Sequence, residues 1–125
     1  MKHTLYIIIG TAMLLLTACG QQHQAKTVIQ EFVDQYVTEP ASRSAVTLVK
    51  LDSTKVLNDS LISVMRANAD TISRYVKPIH YAEGEVGRKL YVARITYTIY
   101  GVEFSDTYYL DELMTRVVAF KSNGN

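Results

Sequence analysis

Three side chains in this sequence have the chemistry of a functional site: the Cys19 thiol, the His80 imidazole and the Asp106 carboxylate. Cys19 is the only cysteine of the chain and closes an apolar N-terminal run, so it has no disulfide partner and suits another covalent modification. Histidine is the side chain that most often acts as a general base. Asp106 lies among apolar residues of a predicted strand, where a carboxylate is costly unless it is paired. These residues allow covalent modification, acid–base chemistry and buried ion pairing respectively.

Asp106 has two interpretations, and the sequence leaves both open. In the first, it is a polar group in a pocket lined by Tyr97, Phe104 and Tyr108, with Arg116 as a further neighbour. In the second, it lies at a sheet end or bulge, where it reaches solvent or pairs with Arg116. Neither arrangement supplies a complete catalytic set, so no residue is predicted to be catalytic.

The remaining candidates have simple structural explanations. His80 lies close to Pro78 on a predicted edge strand, where a solvated histidine is the simpler interpretation. His23 lies in a polar N-terminal segment and has no predicted role. The sequence has no clustered His, Cys, Asp and Glu of the kind that bind metals, no glycine-rich phosphate loop and no G-x-S-x-G motif. We therefore predict neither a metal nor a cofactor.

The first eighteen residues have the layout of an export leader. Lys2 provides a basic start, residues 5–16 form an uncharged apolar stretch, and the small residues Thr17 and Ala18 follow. A transmembrane helix is the alternative, but a span needs roughly 20 predominantly apolar residues, and this run is shorter and broken at Gly10. Residues 1–18 are therefore predicted to be a signal peptide.

The run Leu16-Thr17-Ala18-Cys19 resembles the lipobox of bacterial lipoproteins, although an ordinary leader with an incidental cysteine is the alternative. The resemblance implies that the Cys19 thiol receives a diacylglyceryl group, that the leader is cut just before it, and that the new amine is commonly acylated. Stable anchoring takes two acyl chains or an equivalent, so this lipid would hold the protein at a membrane unaided. Residues 19–24 are then the lipidated cysteine and a polar tether.

The residues after Cys19 bear on the destination. Gly20 is not aspartate, which favours the outer membrane under the enterobacterial sorting rule, and residues 21–24 lack the acidic run that marks surface export in Bacteroidetes lipoproteins. The expected location is the outer membrane, lipid-anchored and facing the periplasm. The leader and the run TYYLDELMTRVVAFK over residues 107–121 also resemble small uncharacterised Bacteroidetes lipoproteins, a likeness that brings no activity.

The composition of the mature chain excludes several partner classes. Removal of the leader takes away Lys2 and no acid, so twelve basic and twelve acidic residues remain. Without a basic patch we expect no nucleic-acid binding, and without a polybasic stretch we expect membrane contact through the lipid alone. Residues 25–122 are long enough for one domain, and residues 123–125 are a tail.

Hydrophobic periodicity predicts the elements that position these candidates. They are a helix over 25–38, a strand over 45–51, a helix that follows caps at 58–60 and runs to about 74, and strands over 75–81, 89–99, 102–110 and 113–121. Pro78 places the strand over 75–81 at a sheet edge or puts a bulge in it. The inward face of the last strand is open between two sets, namely Met114, Val118 and Phe120 or Leu113, Val117 and Ala119.

The alternation of apolar residues specifies the hairpin around Tyr100-Gly101. All of the apolar residues fall on one face only with the pairs Ile99–Val102, Tyr97–Phe104, Ile95–Asp106, Ala93–Tyr108 and Tyr91–Leu110. Tyrosine is unfavourable at positive φ, so a four-residue loop with the same register is the alternative. The Asp106 side chain is thereby predicted to share a face with Tyr97 and Tyr108.

The order of elements predicts an α+β fold with two helices on one face of a mostly antiparallel, curved sheet of four to five strands. This order resembles the cystatin-like and nuclear transport factor 2-like (NTF2-like) folds, although the short link over 39–44 departs from the NTF2-like pattern, which has a helix there. We expect a lipid-anchored, non-catalytic binding module whose partner is another envelope protein, a peptide or a glycan. The alternative is an NTF2-like pocket protein that binds or converts a small apolar ligand.

Overall fold

Two helices and four strands build the fold in the computed structural model, which describes residues 20–84 and 89–124. The predicted leader and Cys19 lie outside these residues. In chain order the elements are α1 (residues 20–36), a short 3-10 helix (Pro40–Ser42), β1 (Thr47–Thr54), α2 (Asp59–Ala69), β2 (Leu90–Ile99), β3 (Val102–Leu110) and β4 (Val117–Ser122). No helix among the described residues has the length and hydropathy needed to cross a membrane.

The four strands form one open antiparallel sheet in the order β1-β2-β3-β4. The predicted α+β class with two helices packed on an antiparallel sheet is confirmed. Since the order follows the chain, β1 and β4 are the two edge strands. The β1–β2 ladder has a register shift between Leu48 and Lys50, and the β3–β4 ladder has one between Tyr109 and Leu110.

The predicted register of the β2–β3 hairpin is confirmed at every pair, from Ile99 opposite Val102 to Tyr91 opposite Leu110. Its turn has two residues, Tyr100 at φ 50° and Gly101 at φ 78°. Positive φ at both positions is the geometry whose twist suits a hairpin, so the four-residue alternative is wrong.

Helix α1 covers one face of the sheet with its apolar stripe. Ile29 and Val33 are fully buried with Ala93 and Ile95 of β2 in the larger of two hydrophobic clusters. The helix includes residues 20–24, which the sequence predicted to be a separate tether. The Gln24 side chain donates to the Met114 carbonyl at 3.1 Å, so the start of α1 is bonded to the connection between β3 and β4.

Helix α2 begins at its predicted cap, because the Asn58 side chain accepts the Leu61 N–H at 3.0 Å. It buries Ile62 in a second cluster with Tyr109 and Ala119. Tyr109 and Ala119 are paired across β3 and β4 and face away from Tyr108, since neighbouring strand residues alternate between faces. The prediction of both helices on one face is therefore wrong for this part of α2.

Two predicted strands differ in the structure. Within residues 75–81 only Tyr75 forms a β-bridge, to Val37, and Pro78 has no N–H to donate to a longer ladder. The last strand begins at Val117, four residues later than predicted. Of the two sets proposed for its inward face, Met114, Val117 and Phe120 lie in the α1 cluster, whereas Val118 and Ala119 lie in the α2 cluster. Both faces of β4 are thus buried, which explains why periodicity did not choose between them.

Candidate functional site

The Asp106 carboxylate is fully buried in the middle of β3. The register sets Asp106 opposite Ile95 of β2 and Ser122 of β4, so it has a strand on both sides. The interpretation that it lies at a sheet end or bulge and reaches solvent is therefore wrong. Its side chain points to the face that α1 covers, where Tyr108 and Ile95 also lie.

Arg74 is the cation that pairs with this carboxylate. Its Nη2 atom donates a hydrogen bond to Asp106 Oδ1, and its Nε atom donates to the Tyr97 hydroxyl at 2.7 Å. The expected partner, Arg116, lies elsewhere. The Arg74 side chain is only 10% exposed, so this is a buried ion pair.

Two tyrosine hydroxyls satisfy the other carboxylate oxygen. Tyr75 donates to Asp106 Oδ2 at 2.7 Å and Tyr97 donates to it at 3.0 Å. The Tyr75 hydroxyl is also hydrogen-bonded to the Tyr108 hydroxyl. We refer to Arg74, Tyr75, Tyr97, Asp106 and Tyr108 as the Asp106 network. Both oxygens of its single carboxylate are occupied by protein donors.

The segment after α2 carries Arg74 and Tyr75 into this position. Two main-chain bonds tie the segment to the end of α1, since Thr38 N donates to the Arg74 carbonyl at 2.9 Å and Val76 N donates to the Tyr36 carbonyl at 2.7 Å. Main-chain hydrogen bonds thus hold the segment that positions the Arg74 guanidinium and the Tyr75 hydroxyl.

Aromatic rings surround the ion pair. The Arg74 guanidinium carbon lies 4.6 Å from the centroid of the Phe104 ring, a distance at which a cation is attracted to the ring face. The rings of Tyr75 and Tyr108 lie 4.4 and 5.1 Å from that of Phe120. The predicted pocket residues Tyr97, Phe104, Asp106 and Tyr108 do come together, and the Arg74 side chain lies among them. A groove of about 490 Å³ lies apart from these residues, between α1 and β1.

Burial keeps the network hydroxyls protonated. It raises the pKa of Tyr97 to about 12, with a further contribution from the Asp106 charge. Burial, and then the neighbouring Tyr108 and Asp106, raise the pKa of Tyr75 well above its ordinary value. Burial and Asp106 do the same for the pKa of Tyr108. Burial lowers the pKa of Arg74, but Asp106 and Tyr97 offset this, so it lies above its ordinary value. The phenols therefore act as hydrogen-bond donors, and the guanidinium balances the carboxylate.

Arg116 belongs to a second polar cluster, around the turn before β4. Its Nη1 and Nη2 atoms donate to the carbonyls of Ala82 and Gly84, each at 2.7 Å. The buried Asp111 carboxylate accepts the Thr115 N–H at 2.7 Å, the Thr115 hydroxyl at 2.6 Å and the Arg116 N–H at 3.0 Å. Burial opposes the charge, but these hydrogen bonds outweigh it and lower the pKa of Asp111. These hydrogen bonds hold the turn, and β4 begins only after it, at Val117.

His23 and His80 form hydrogen bonds through their main-chain atoms. His80 N donates to the Tyr36 hydroxyl at 3.1 Å, and that hydroxyl donates to the His80 carbonyl at 3.0 Å, while the His80 side chain is exposed. The His23 side chain is exposed on α1, and its carbonyl accepts the Thr27 hydroxyl at 2.9 Å.

Arg74 and Tyr75 are the site residues that sequence reasoning missed. Arg74 stood at the end of a predicted helix and Tyr75 at the start of a predicted strand, and neither has a fixed spacing to Asp106. The available signal was the unpaired Asp106 on an apolar face, which indicates that a cation must reach it.

Comparison of the sequence with family models found no match. Comparisons with curated proteins and with solved structures also found none. In the described part of the chain, no group of three or more His, Cys, Asp and Glu side chains is placed to hold a metal ion. Function is therefore inferred from the residues and their geometry.

Proposed function

We propose that this protein is a lipid-anchored, non-catalytic interaction module of the bacterial envelope, held at the outer membrane and facing the periplasm. The non-catalytic assignment rests on one observation: protein donors occupy both carboxylate oxygens of the Asp106 network. Asp106 is fully buried, and Arg74, Tyr75 and Tyr97 occupy both carboxylate oxygens. A buried ion pair with satisfied hydrogen bonds has a structural role, because an acid or base must reach the proton that it transfers.

The anchoring part of the proposal rests on the run from Leu16 to Cys19. Because α1 already includes residue 20, a lipid on Cys19 would be joined to the folded domain with no flexible spacer. Two acyl chains suffice for stable attachment. The domain would then stay close to the membrane surface and meet partners that are also held there, such as other envelope proteins, peptides or glycans.

The alternative, an NTF2-like pocket protein, needs Asp106 to meet a ligand. A ligand would have to displace the guanidinium of Arg74 or the hydroxyls of Tyr75 and Tyr97 from the carboxylate. Such displacement leaves a buried charge without its partner, which is costly. The interaction module requires no such rearrangement.

Fractionation of a Cys19→Ala variant tests the anchor. We expect the wild-type protein in the membrane fraction and the variant in the soluble periplasmic fraction, with Gln21→Ala as a matched control that keeps the lipobox. Globomycin should cause the unprocessed wild-type precursor to accumulate. A Cys19→Ala protein that has lost its leader and still remains with the membrane would overturn lipid anchoring.

Crosslinking in the native envelope followed by affinity purification tests the interaction role. The lipidated protein should recover defined crosslinked products that a Cys19→Ala protein recovers less well, because the variant is no longer confined to the membrane. The absence of any crosslinked product would contradict the proposal.

A further inference from the structure

Strand β1 is an edge of the sheet whose outward backbone groups can be assigned from the hairpin. Ile99 and Val102 flank a two-residue turn, so their N–H and C=O groups point at each other. The adjacent even-numbered residues of β2 therefore point at β1. Accordingly, Thr98 O accepts the Ser44 N–H at 2.9 Å.

This alternation continues into β1. Lys50 is opposite Arg94 and Asp52 is opposite Val92, so the N–H and C=O groups of Lys50 and Asp52 point at β2. The groups of Leu51 and Ser53 then point away from the sheet. The Ser53 N–H donates to the Asp52 side chain at 3.0 Å, which is consistent with a position outside the ladder. β1 thus presents a short edge centred on Leu51.

The charges on this edge are complementary to those of the same edge in a second copy. In an antiparallel pair of two β1 strands with Leu51 opposite Leu51, Lys50 of each copy is opposite Asp52 of the other. Lys50 and Asp52 then form non-hydrogen-bonded pairs, in which facing side chains are closest. Within one chain Lys50 Nζ lies 3.8 Å from Asp52 Oδ2, and the two side chains are 72% and 65% exposed, so both also reach a second copy.

The same charges select this register over its neighbours. Outward backbone groups must face each other, so the alternatives with the nearest registers place Lys50 opposite Lys50 or Asp52 opposite Asp52. Like charges directly opposite one another are destabilising. One register has two attractive pairs, and each neighbouring register has a repulsive pair at its centre.

We propose that β1 pairs antiparallel with β1 of a second copy of this chain, with the two-fold axis at Leu51, to form a continuous sheet across the dimer. The occupant is a second copy because the charges of Lys50 and Asp52 are complementary to those of the same strand in antiparallel orientation. An unrelated peptide has no reason to carry this charge pattern. Val49 is the unpaired residue of the bulge between Leu48 and Lys50, so the regular part of the symmetric edge is limited to Lys50, Leu51 and Asp52. The interface is therefore short and forms a weak, reversible dimer.

The symmetry of this pairing suits two anchored chains. A two-fold axis between antiparallel strands of one sheet is perpendicular to the sheet, so both copies of α1 lie on the same face. Residues Gln22, His23 and Lys26 of α1 border the groove that residues 47–51 of β1 line. The two starts of α1 therefore lie near the seam, and both Cys19 lipids can enter one bilayer. This orientation rests on the proposed anchor, but the pairing itself does not.

Light scattering on the full processed protein in detergent tests the pairing. Wild type should change from monomer to dimer as concentration rises. Lys50→Asp and Asp52→Lys each turn two attractive pairs into repulsive ones and should weaken the dimer about tenfold. The doubly substituted Lys50→Asp/Asp52→Lys chain restores opposite charges at both pairs and should dimerise like wild type.

Mixing the two single variants gives a sharper test. The altered position 50 of one chain faces the altered position 52 of the other, so a heterodimer regains two attractive pairs while each homodimer does not. Lys121→Asp on β4, which changes the net charge by the same amount as Lys50→Asp, should leave the dimer dissociation constant unchanged. At monomeric concentrations the double variant should show the wild-type thermal unfolding curve, because the exchange also keeps opposite charges in the exposed contact between positions 50 and 52 of one chain.

Three results would overturn the proposal: a monomer at every concentration, a dimer that ignores the single substitutions, or a double variant as weak as the single ones. The mass of the same preparation reports whether Cys19 is acylated. An unacylated chain that still dimerises through β1 would refute the anchor and leave the dimer standing, so the two failures are distinguishable.

Discussion

Arg74 and Asp106 form an ion pair inside the protein although 32 positions separate them in the chain. The Arg74 side chain is 10% exposed and that of Asp106 is inaccessible to solvent. The pair joins the segment after α2 to the middle of β3. These two parts of the fold are not joined by strand pairing, so the ion pair provides a separate link between them.

Removal of one member of this pair should be more damaging than removal of both. Asp106→Asn or Arg74→Met leaves an uncompensated buried group and should lower the free energy of unfolding by roughly 3–5 kcal/mol. The double variant should lose clearly less than the sum of the single losses. Urea unfolding of the four proteins gives the coupling. Additive losses would show that the two residues do not interact in solution.

Hydroxyl removal should distinguish the direct carboxylate ligands from their neighbour. Tyr75→Phe and Tyr97→Phe each remove a donor to Asp106 and should cost roughly 1–3 kcal/mol of unfolding free energy. Tyr108→Phe is the matched control, because its hydroxyl bonds to Tyr75 rather than to the carboxylate, and it should cost less. Thermal unfolding of the three variants measures the order, and an equal loss in all three would contradict the assigned geometry.

Alkaline pH should destabilise the fold through Tyr97. Its pKa is about 12 in the folded protein and about 10 in the unfolded chain. The folded state thus holds a proton that the unfolded state releases, so stability is intact below pH ~10 and falls as pH rises toward ~12. A two-unit difference corresponds to roughly 2–3 kcal/mol.

The Tyr97→Phe variant is the control for this pH dependence. It lacks the ionisable group, so the slope of its unfolding free energy between these pH values should be shallower than that of wild type. Unfolding curves at several pH values, with tyrosinate absorbance recorded in parallel, give both quantities. Identical slopes would mean that Tyr97 does not titrate as described.

Acid should destabilise the turn before β4 through Asp111. Its pKa is lower in the folded protein than the ordinary value of 3.8. The folded state therefore favours the ionised form, and the resulting stability is present above the ordinary pKa and is lost as pH falls through the folded pKa. Asp111→Asn should lose about 1–2 kcal/mol at neutral pH, because charge-assisted bonds are replaced by weaker ones.

Denaturation at pH 2 to 6 tests the assignment of acid sensitivity to Asp111. The Asp111→Asn protein should show a smaller change in stability over this range than wild type. An unchanged acid profile in Asp111→Asn would assign the acid sensitivity to other carboxylates.

Local pattern in the sequence was sufficient for several parts of the fold. The alternation on either side of Gly101 determined the pairing of Tyr97 with Phe104 and of Ile95 with Asp106, because side chains in a strand alternate with a period of two residues. The helical spacing in α1 and the cap at Asn58 were equally readable, since both depend on residues a few positions apart. The placement of Asp106 on the apolar face followed from the same pattern.

The tertiary structure alone decided what Asp106 does. Arg74 reaches it because α2 ends at Ala69 and the following segment is bonded to the end of α1. No spacing rule relates residues so far apart in the chain, so the sequence pointed to Arg116 instead. Periodicity reports which face a side chain occupies, and that is a local property. Which distant cation meets a buried carboxylate depends on how the connecting segment packs, and only the folded chain determines that.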